Sequence, residues 1–113
     1  MLYNVYLICS EINGDKIYKI GYTKRPIEKR LKEFKTGNGA EIYLVDSFTS
    51  KWGTKIERNL HKLFKGKKVS GEWFKLNDDD LNQFKINCIK IHDNFNFIES
   101  NNTYYIDKIN EKI

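Results

Sequence analysis

Long apolar runs are missing from this chain, proline occurs once and cysteine twice. No segment approaches the roughly 18–20 consecutive apolar residues that a membrane-spanning helix needs, so no membrane span is expected. The opening Met1-Leu2-Tyr3-Asn4 lacks the charged stretch and apolar core of a secretion signal. Cys9 and Cys88 are too few for a disulfide framework and read as buried thiols of a reducing, cytoplasmic compartment. With Pro26 alone, and with no repeat or low-complexity segment, nothing marks a linker between two domains.

What is present is ring and charge. The 113 residues include 16 aromatics and suit one compact domain over 1–113, since domains usually run to ~100–150 residues. A chain of this size buries somewhat under ~70% of its unfolded surface, enough for a core without disulfides or a structural metal. The net charge is +5, but residues 1–75 carry +8 and residues 76–113 carry −3. A basic body suggests a polyanionic partner. Lys, Asn and Ile together supply 43 residues, however, a bias that an AT-rich genome produces without any ligand.

Asn4 to Ser10 is a short apolar, aromatic and β-branched run, and Lys16 to Tyr22 alternates. The Asn13-Gly14 pair between them predicts a β-hairpin. Ile27, Leu31 and Phe34 fall at i, i+4, i+7 after Pro26 and predict a helix to about Lys35, stopped by Thr36-Gly37-Asn38-Gly39. Glu41 to Ser50 reads as a third strand, and Ser50 to Phe64 as a second helix with Ile56, Leu60, Leu63 and Phe64 inward. After a basic loop, Lys65-Gly66-Lys67-Lys68, the run Trp73-Phe74-Lys75-Leu76 suits a short strand. Asp78-Asp79-Asp80 then caps a third helix to about His92. A last hairpin would pair Phe95-Asn96-Phe97-Ile98 with Tyr104-Tyr105-Ile106. The order is α+β: a small antiparallel three-stranded sheet flanked by helices, ββαβα, followed by a C-terminal helix and hairpin.

Polar residues beside these apolar stripes are the candidates for chemistry. Arg30 lies one turn from Ile27 and Phe34, and the chain has 3 arginines against 17 lysines. An arginine chosen in that background suits a bidentate fork for phosphate, or an ion pair with Glu57 or Glu33. Glu57 and His61 are i, i+4 on the second helix, where a carboxylate suits Mg²⁺, or a solvated Glu simply accompanies a half-buried His. Cys88 and His92 have the same spacing, but without a second pair they make a poor zinc site.

Together, Val5-Tyr6-Leu7, Tyr18-Lys19-Ile20-Gly21, Glu28-Lys29-Arg30-Leu31, Ile56-Glu57-Arg58-Asn59-Leu60-His61 and Gly71-Glu72-Trp73-Phe74 resemble the GIY-YIG nuclease superfamily, in the branch found in phage and bacterial open reading frames. The resemblance covers roughly residues 3–76, giving a nuclease core over 1–76 and an appendage over 77–113. It implies a metal-dependent endonuclease acting on DNA with one Mg²⁺ or Mn²⁺. Tyr6 would position or deprotonate the attacking water, Arg30 would stabilise charge on the phosphate, Glu57 would hold the metal, and His61 would bond phosphate or relay a proton. Two departures stand out: Val5 replaces the usual glycine, and two residues separate Tyr18 from Gly21 where the parent motif has one. Aligned on Gly21, Lys19 takes the second tyrosine's place. Strand alternation then points Lys19 at the site, where its charge would lower the pKa of Tyr6, and sends Tyr18, the other catalytic candidate, into the core.

Lys24, Arg25, Lys29, Lys32 and Lys35 flank Arg30, while Lys65, Lys67 and Lys68 form a second patch; both would contact nucleic-acid phosphates. Trp52 and Trp73 read as packing residues. Asp78-Asp79-Asp80 would repel DNA, so residues 77–113 are expected to pack or to form a homodimer contact, which would supply the second cut of a double-strand break. The competing expectation is a catalytically silent module that binds nucleic acid or blocks a host nuclease.

Overall fold

The turn at Asn13-Gly14 sets the first pairing. Both residues take positive φ, 53° and 85°, which asparagine and glycine tolerate. The reversal pairs β1 (Tyr3–Ile12) with β2 (Asp15–Thr23) antiparallel, from Asn4↔Thr23 to Ile12↔Asp15. The computed structural model describes residues 1–35 and 39–101. Within them α1 is Ile27–Lys35, β3 Glu41–Ser50, α2 Gly53–Leu63, β4 Lys68–Ser70, β5 Trp73–Phe74 and α3 Asp78–Asn101. A single 3-10 turn, Lys65–Lys67, follows α2.

The α+β class holds, but the sheet has five antiparallel strands in the order β3-β1-β2-β5-β4, not three. The two additional strands are three and two residues long, too short to show alternation. Tyr18↔Phe74 and Lys19↔Trp73 pairing fixes β5, which falls within the short strand expected at Trp73-Phe74-Lys75-Leu76, against β2, and β4 begins at Lys68, the last residue of the expected basic loop.

Alternation along β1 divides the core into two faces. Val5, Leu7 and Cys9 join Tyr18 and Ile20 of β2, Ile56 and Leu60 of α2, Phe74, and Phe84 and Cys88 of α3 in one buried cluster. Each fully buried Leu, Ile or Phe there contributes about 1.5–3 kcal/mol. Tyr6 and Ile8 point the other way, to Ile42 and to the half-buried Ile27, Leu31 and Phe34 of α1. The expected stripe of α1 is therefore in place, yet no side chain of that helix is fully buried. Among the described residues this second face is only partly covered.

The C-terminal helix differs most from expectation. Its cap is Asn77, whose Oδ1 accepts from the Asp80 N–H at 2.9 Å, while Asp80 Oδ2 accepts from the Asn77 N–H at 2.9 Å. The helix then continues through Phe95–Ile98 to Asn101, so the first arm of the expected hairpin is helical. Tertiary packing explains this: Trp52 stacks on Phe95 at 5.4 Å between centroids and donates Nε1–H to Asn96 Oδ1 at 2.8 Å. Asn96 also donates to His92 Nε2 at 2.9 Å, and the opposite ring nitrogen donates to Ser50 Oγ at 2.7 Å. The other arm of that hairpin, Tyr104-Tyr105-Ile106, and most of the expected stop after α1, Thr36-Gly37-Asn38, lie outside the described residues. Among the described residues no helix is long and apolar enough to cross a membrane.

Candidate active site

Tyr6 sits on β1 directly opposite Gly21 of β2, with its ring 1% exposed and 6.2 Å from that of Phe34. The glycine is a steric requirement. A Cβ at position 21 would lie 2.4 Å from the Tyr6 hydroxyl oxygen, so only glycine lets the phenol lie across the neighbouring strand. Arg30, on the inner edge of α1, bears on that hydroxyl from close range and opposes the rise in its pKa. Its guanidinium also stacks 4.8 Å from the Phe34 centroid and donates to Glu33 at 2.8 Å. Of the pairings expected for Arg30, the one with Glu33 is present.

Lys19 lies on the same face as Tyr6 and Gly21, as strand alternation requires, and Tyr18 packs on the other face, 6% exposed. The Lys19 side chain is 13% exposed, with its ammonium 2.9 Å from Glu72, 5.3 Å from the Phe34 centroid and 5.4 Å from that of Trp73. The expected action of Lys19 on Tyr6 is not observed. Burial drives the Tyr6 pKa above its ordinary value, and the opposing influence is Arg30, not Lys19. Lys19 spends its charge on Glu72, a residue that single-strand alternation could not place because β5 brings it in from elsewhere.

Glu57 and His61 arrive from α2, which packs on the opposite face. They reach the site because β5 ends early. Beyond Lys19↔Trp73 the edge of β2 keeps one further bond, Ile20 N–H to the Glu72 carbonyl at 3.2 Å. There His61 donates Nε2–H to the Ile20 carbonyl at 2.8 Å, with its ring edge-on to Phe74 at 4.9 Å. Because that carbonyl can only accept, Nδ1 is left as the ring's acceptor in the neutral form. Glu57 lies 3.5 Å from His61 Nε2 with its side chain 17% exposed. Its carboxyl is raised above the usual range, first by burial and then by Glu72, against His61, Arg58 and Lys19. Tyr6 in turn feels both Glu57 and Glu72. Tyr6, Lys19, Arg30, Glu57, His61 and Glu72 thus share one electrostatic neighbourhood. Glu72 is the member that sequence reasoning left without a role; the signal was the Glu-Trp-Phe spelling.

The remaining candidates disperse. Arg25 pairs with Glu33, so one carboxylate bridges two of the three arginines. Lys24 lies 5.5 Å from the Tyr3 centroid, Lys29 and Lys32 are on the exposed side of α1, and Lys68 is exposed on β4. Lys67 binds Asp80 and ties the 3-10 turn to the start of α3. Trp52 packs against α3, as expected. Among the described residues no three His, Cys, Asp or Glu side chains converge as a ready metal cage.

Residues 4–90 match the T5orf172 domain model, which covers most of the chain. The protein belongs to this family, a phage-associated domain. Neither a curated protein nor a solved structure matches it.

Proposed function

We propose that this chain is a DNA endonuclease of the GIY-YIG type, hydrolysing phosphodiester bonds with one divalent cation. The observation that carries the reading is convergence: Tyr6 from β1, Lys19 from β2, Arg30 from α1, and Glu57 and His61 from α2 fall in one electrostatic neighbourhood about β2. The donor chemistry at Glu57 suits Mg²⁺ or Mn²⁺. Burial and the Glu72 charge disfavour the bare carboxylate, and such ions commonly take one or two carboxylates with water and phosphate oxygens as remaining ligands. Held there, the cation would neutralise charge at the departing oxygen.

The protein's own groups do the positioning. Tyr6, whose pKa is raised, keeps its proton at neutral pH and orients the attacking water by hydrogen bonding. Arg30 has five N–H donors, of which Glu33 occupies part, leaving others for the phosphate oxygens. Nδ1 of His61 would take up a proton, with the ring held by the Ile20 carbonyl through Nε2. Arginine, tyrosine and carboxylate aimed before substrate arrives match a reaction that depends on positioning and charge neutralisation.

The test is incubation with supercoiled plasmid and Mg²⁺ or Mn²⁺, beside Glu57→Ala and EDTA controls, with single-stranded DNA and RNA alongside. Nicking lost in both controls supports the nuclease; undiminished cleavage by Glu57→Ala sinks the site assignment. A second reading, a silent DNA-binding module, draws on the internal pairing of both cations, Lys19 with Glu72 and Arg30 with Glu33. It predicts no Mn²⁺ stabilisation that depends on Glu57.

A further inference from the structure

We infer that the outward face of α2, carrying Lys55, Arg58 and Lys62, is the track on which the DNA backbone lies as it leaves the site; this rests on the proposed nuclease reading. The three residues fall at i, i+3, i+7, on the side of α2 away from the buried Ile56 and Leu60. They cover about 10 Å of helix axis, the axial length of about three phosphates on one strand.

What separates this stripe from the chain's general wealth of lysine is that its three cations share one helix face with no acid among them. Among the described residues Lys19, Arg25, Arg30, Lys51, Lys67 and Lys85 each hold a carboxylate. Arg58 and Lys62 form no ion pair among those residues, and the Lys55 ammonium rests 5.5 Å from the Phe95 centroid, clear of any carboxylate there. Arg58 is also the one arginine that does not share Glu33. On α1 the cations are interleaved with Glu28 and Glu33, whereas the single acid of α2 is Glu57, which turns to the site. The uncompensated field of α2 therefore begins beside the proposed metal ligand and runs along one helix.

The experiment measures binding of a labelled DNA duplex by fluorescence anisotropy in EDTA, across a salt series, with cleavage assayed separately. The comparison is wild type, Lys55→Gln/Arg58→Gln/Lys62→Gln, and a control on α1, Lys29→Gln/Lys32→Gln. Each phosphate contact contributes about 0.9 to the slope of log affinity against log salt, so the α2 variant should lose about 2–3 from that slope. It should bind at least tenfold more weakly at about 0.1 M salt, with the α1 variant closer to wild type. Circular dichroism melts check that each variant is folded. An α2 variant with an unchanged slope overturns the track while leaving a cleaving enzyme in place. An α1 variant that loses as much or more overturns it as well. If wild type neither binds nor cuts DNA, the function and the track fall together.

Discussion

Gly21→Ala is the substitution on which the geometry commits itself most. The new methyl would stand 2.4 Å from the Tyr6 hydroxyl oxygen, 2.6 Å from its Cζ and 3.0 Å from Cε1, so the ring must move by about 1 Å to restore ordinary contact. Tyr6 is fully buried beside Ile8, Ile42 and Phe34, and the strand partner cannot retreat without breaking the β1–β2 ladder. Overpacking of this kind costs about 1–3 kcal/mol, which for a domain of this size lowers the melting temperature by about 4–12 °C. Because a misplacement of about 1 Å in a positioning group costs about 10²-fold in rate, cleavage should fall by that order while DNA affinity holds. The assay is urea denaturation of Gly21→Ala, Tyr6→Ala and the double variant, with plasmid cleavage for Gly21→Ala. In the Tyr6→Ala background the added methyl has nothing to strike, so the two changes should couple by about 1–2 kcal/mol. Additive effects, or a Gly21→Ala protein as stable and as active as wild type, would refute the packing of Tyr6 over Gly21.

Arg30→Lys keeps the charge but loses the fork that pairs with Glu33 and bears on Tyr6, so cleavage should drop by about 10²-fold or more with little change in KM. Acid should weaken the start of α3: burial alone would raise the Asp80 carboxyl, but the Lys67 ammonium and the Asn77 N–H outweigh it and hold the folded pKa below the ordinary value. That contribution is present above the unfolded pKa of about 4 and is lost as pH falls through the folded one, so Asp80→Asn should flatten the acid limb of a stability profile. At neutral pH the same change should cost about 0.5–2 kcal/mol as the cap and the Lys67 pair weaken. Asn96→Ala strips partners from Trp52 Nε1 and His92 Nε2, costing about 1–3 kcal/mol and shifting tryptophan emission; an unchanged melt would place the end of α3 elsewhere. Cys9 and Cys88 are both buried, and burial pushes the Cys88 thiol up to about 12, so a thiol reagent at about pH 8 should label neither in native protein and both in denaturant.

The parts of the fold that were legible are those whose determinants are local. Asn13-Gly14 announces its own φ angles, and Glu41–Ser50 has the boundaries its composition implies. Alternation along β2 puts Lys19 with Gly21 and sends Tyr18 to the opposite core. The failures are non-local. Phe95–Ile98 has the aromatic, β-branched composition of a strand, but Trp52 and Asn96 recruit it into α3. The short strand at Trp73-Phe74 could be read, but its pairing with β2 could not, so the arrival of Glu72 beside Lys19 was invisible, and with it the reason Lys19 does not act on Tyr6.

Short β5 also decides what the site is able to do. Had it paired along β2 past Ile20, the Ile20 carbonyl would have found its partner in the sheet, and His61 and Glu57 would have been kept behind the edge. Because it stops, a helix packed on one face brings a carboxylate within electrostatic reach of the tyrosine on the other. The two cations nearest the tyrosine's face are already aimed by carboxylates, Arg30 by Glu33 and Lys19 by Glu72, and each keeps further N–H donors for an incoming phosphate. Glu57 is different: its ion-pair contact is His61 at 3.5 Å, charged only when protonated. On the proposed reading the site lacks one positive charge at rest, and it lacks it at Glu57, where a divalent cation and the substrate's phosphate would arrive together.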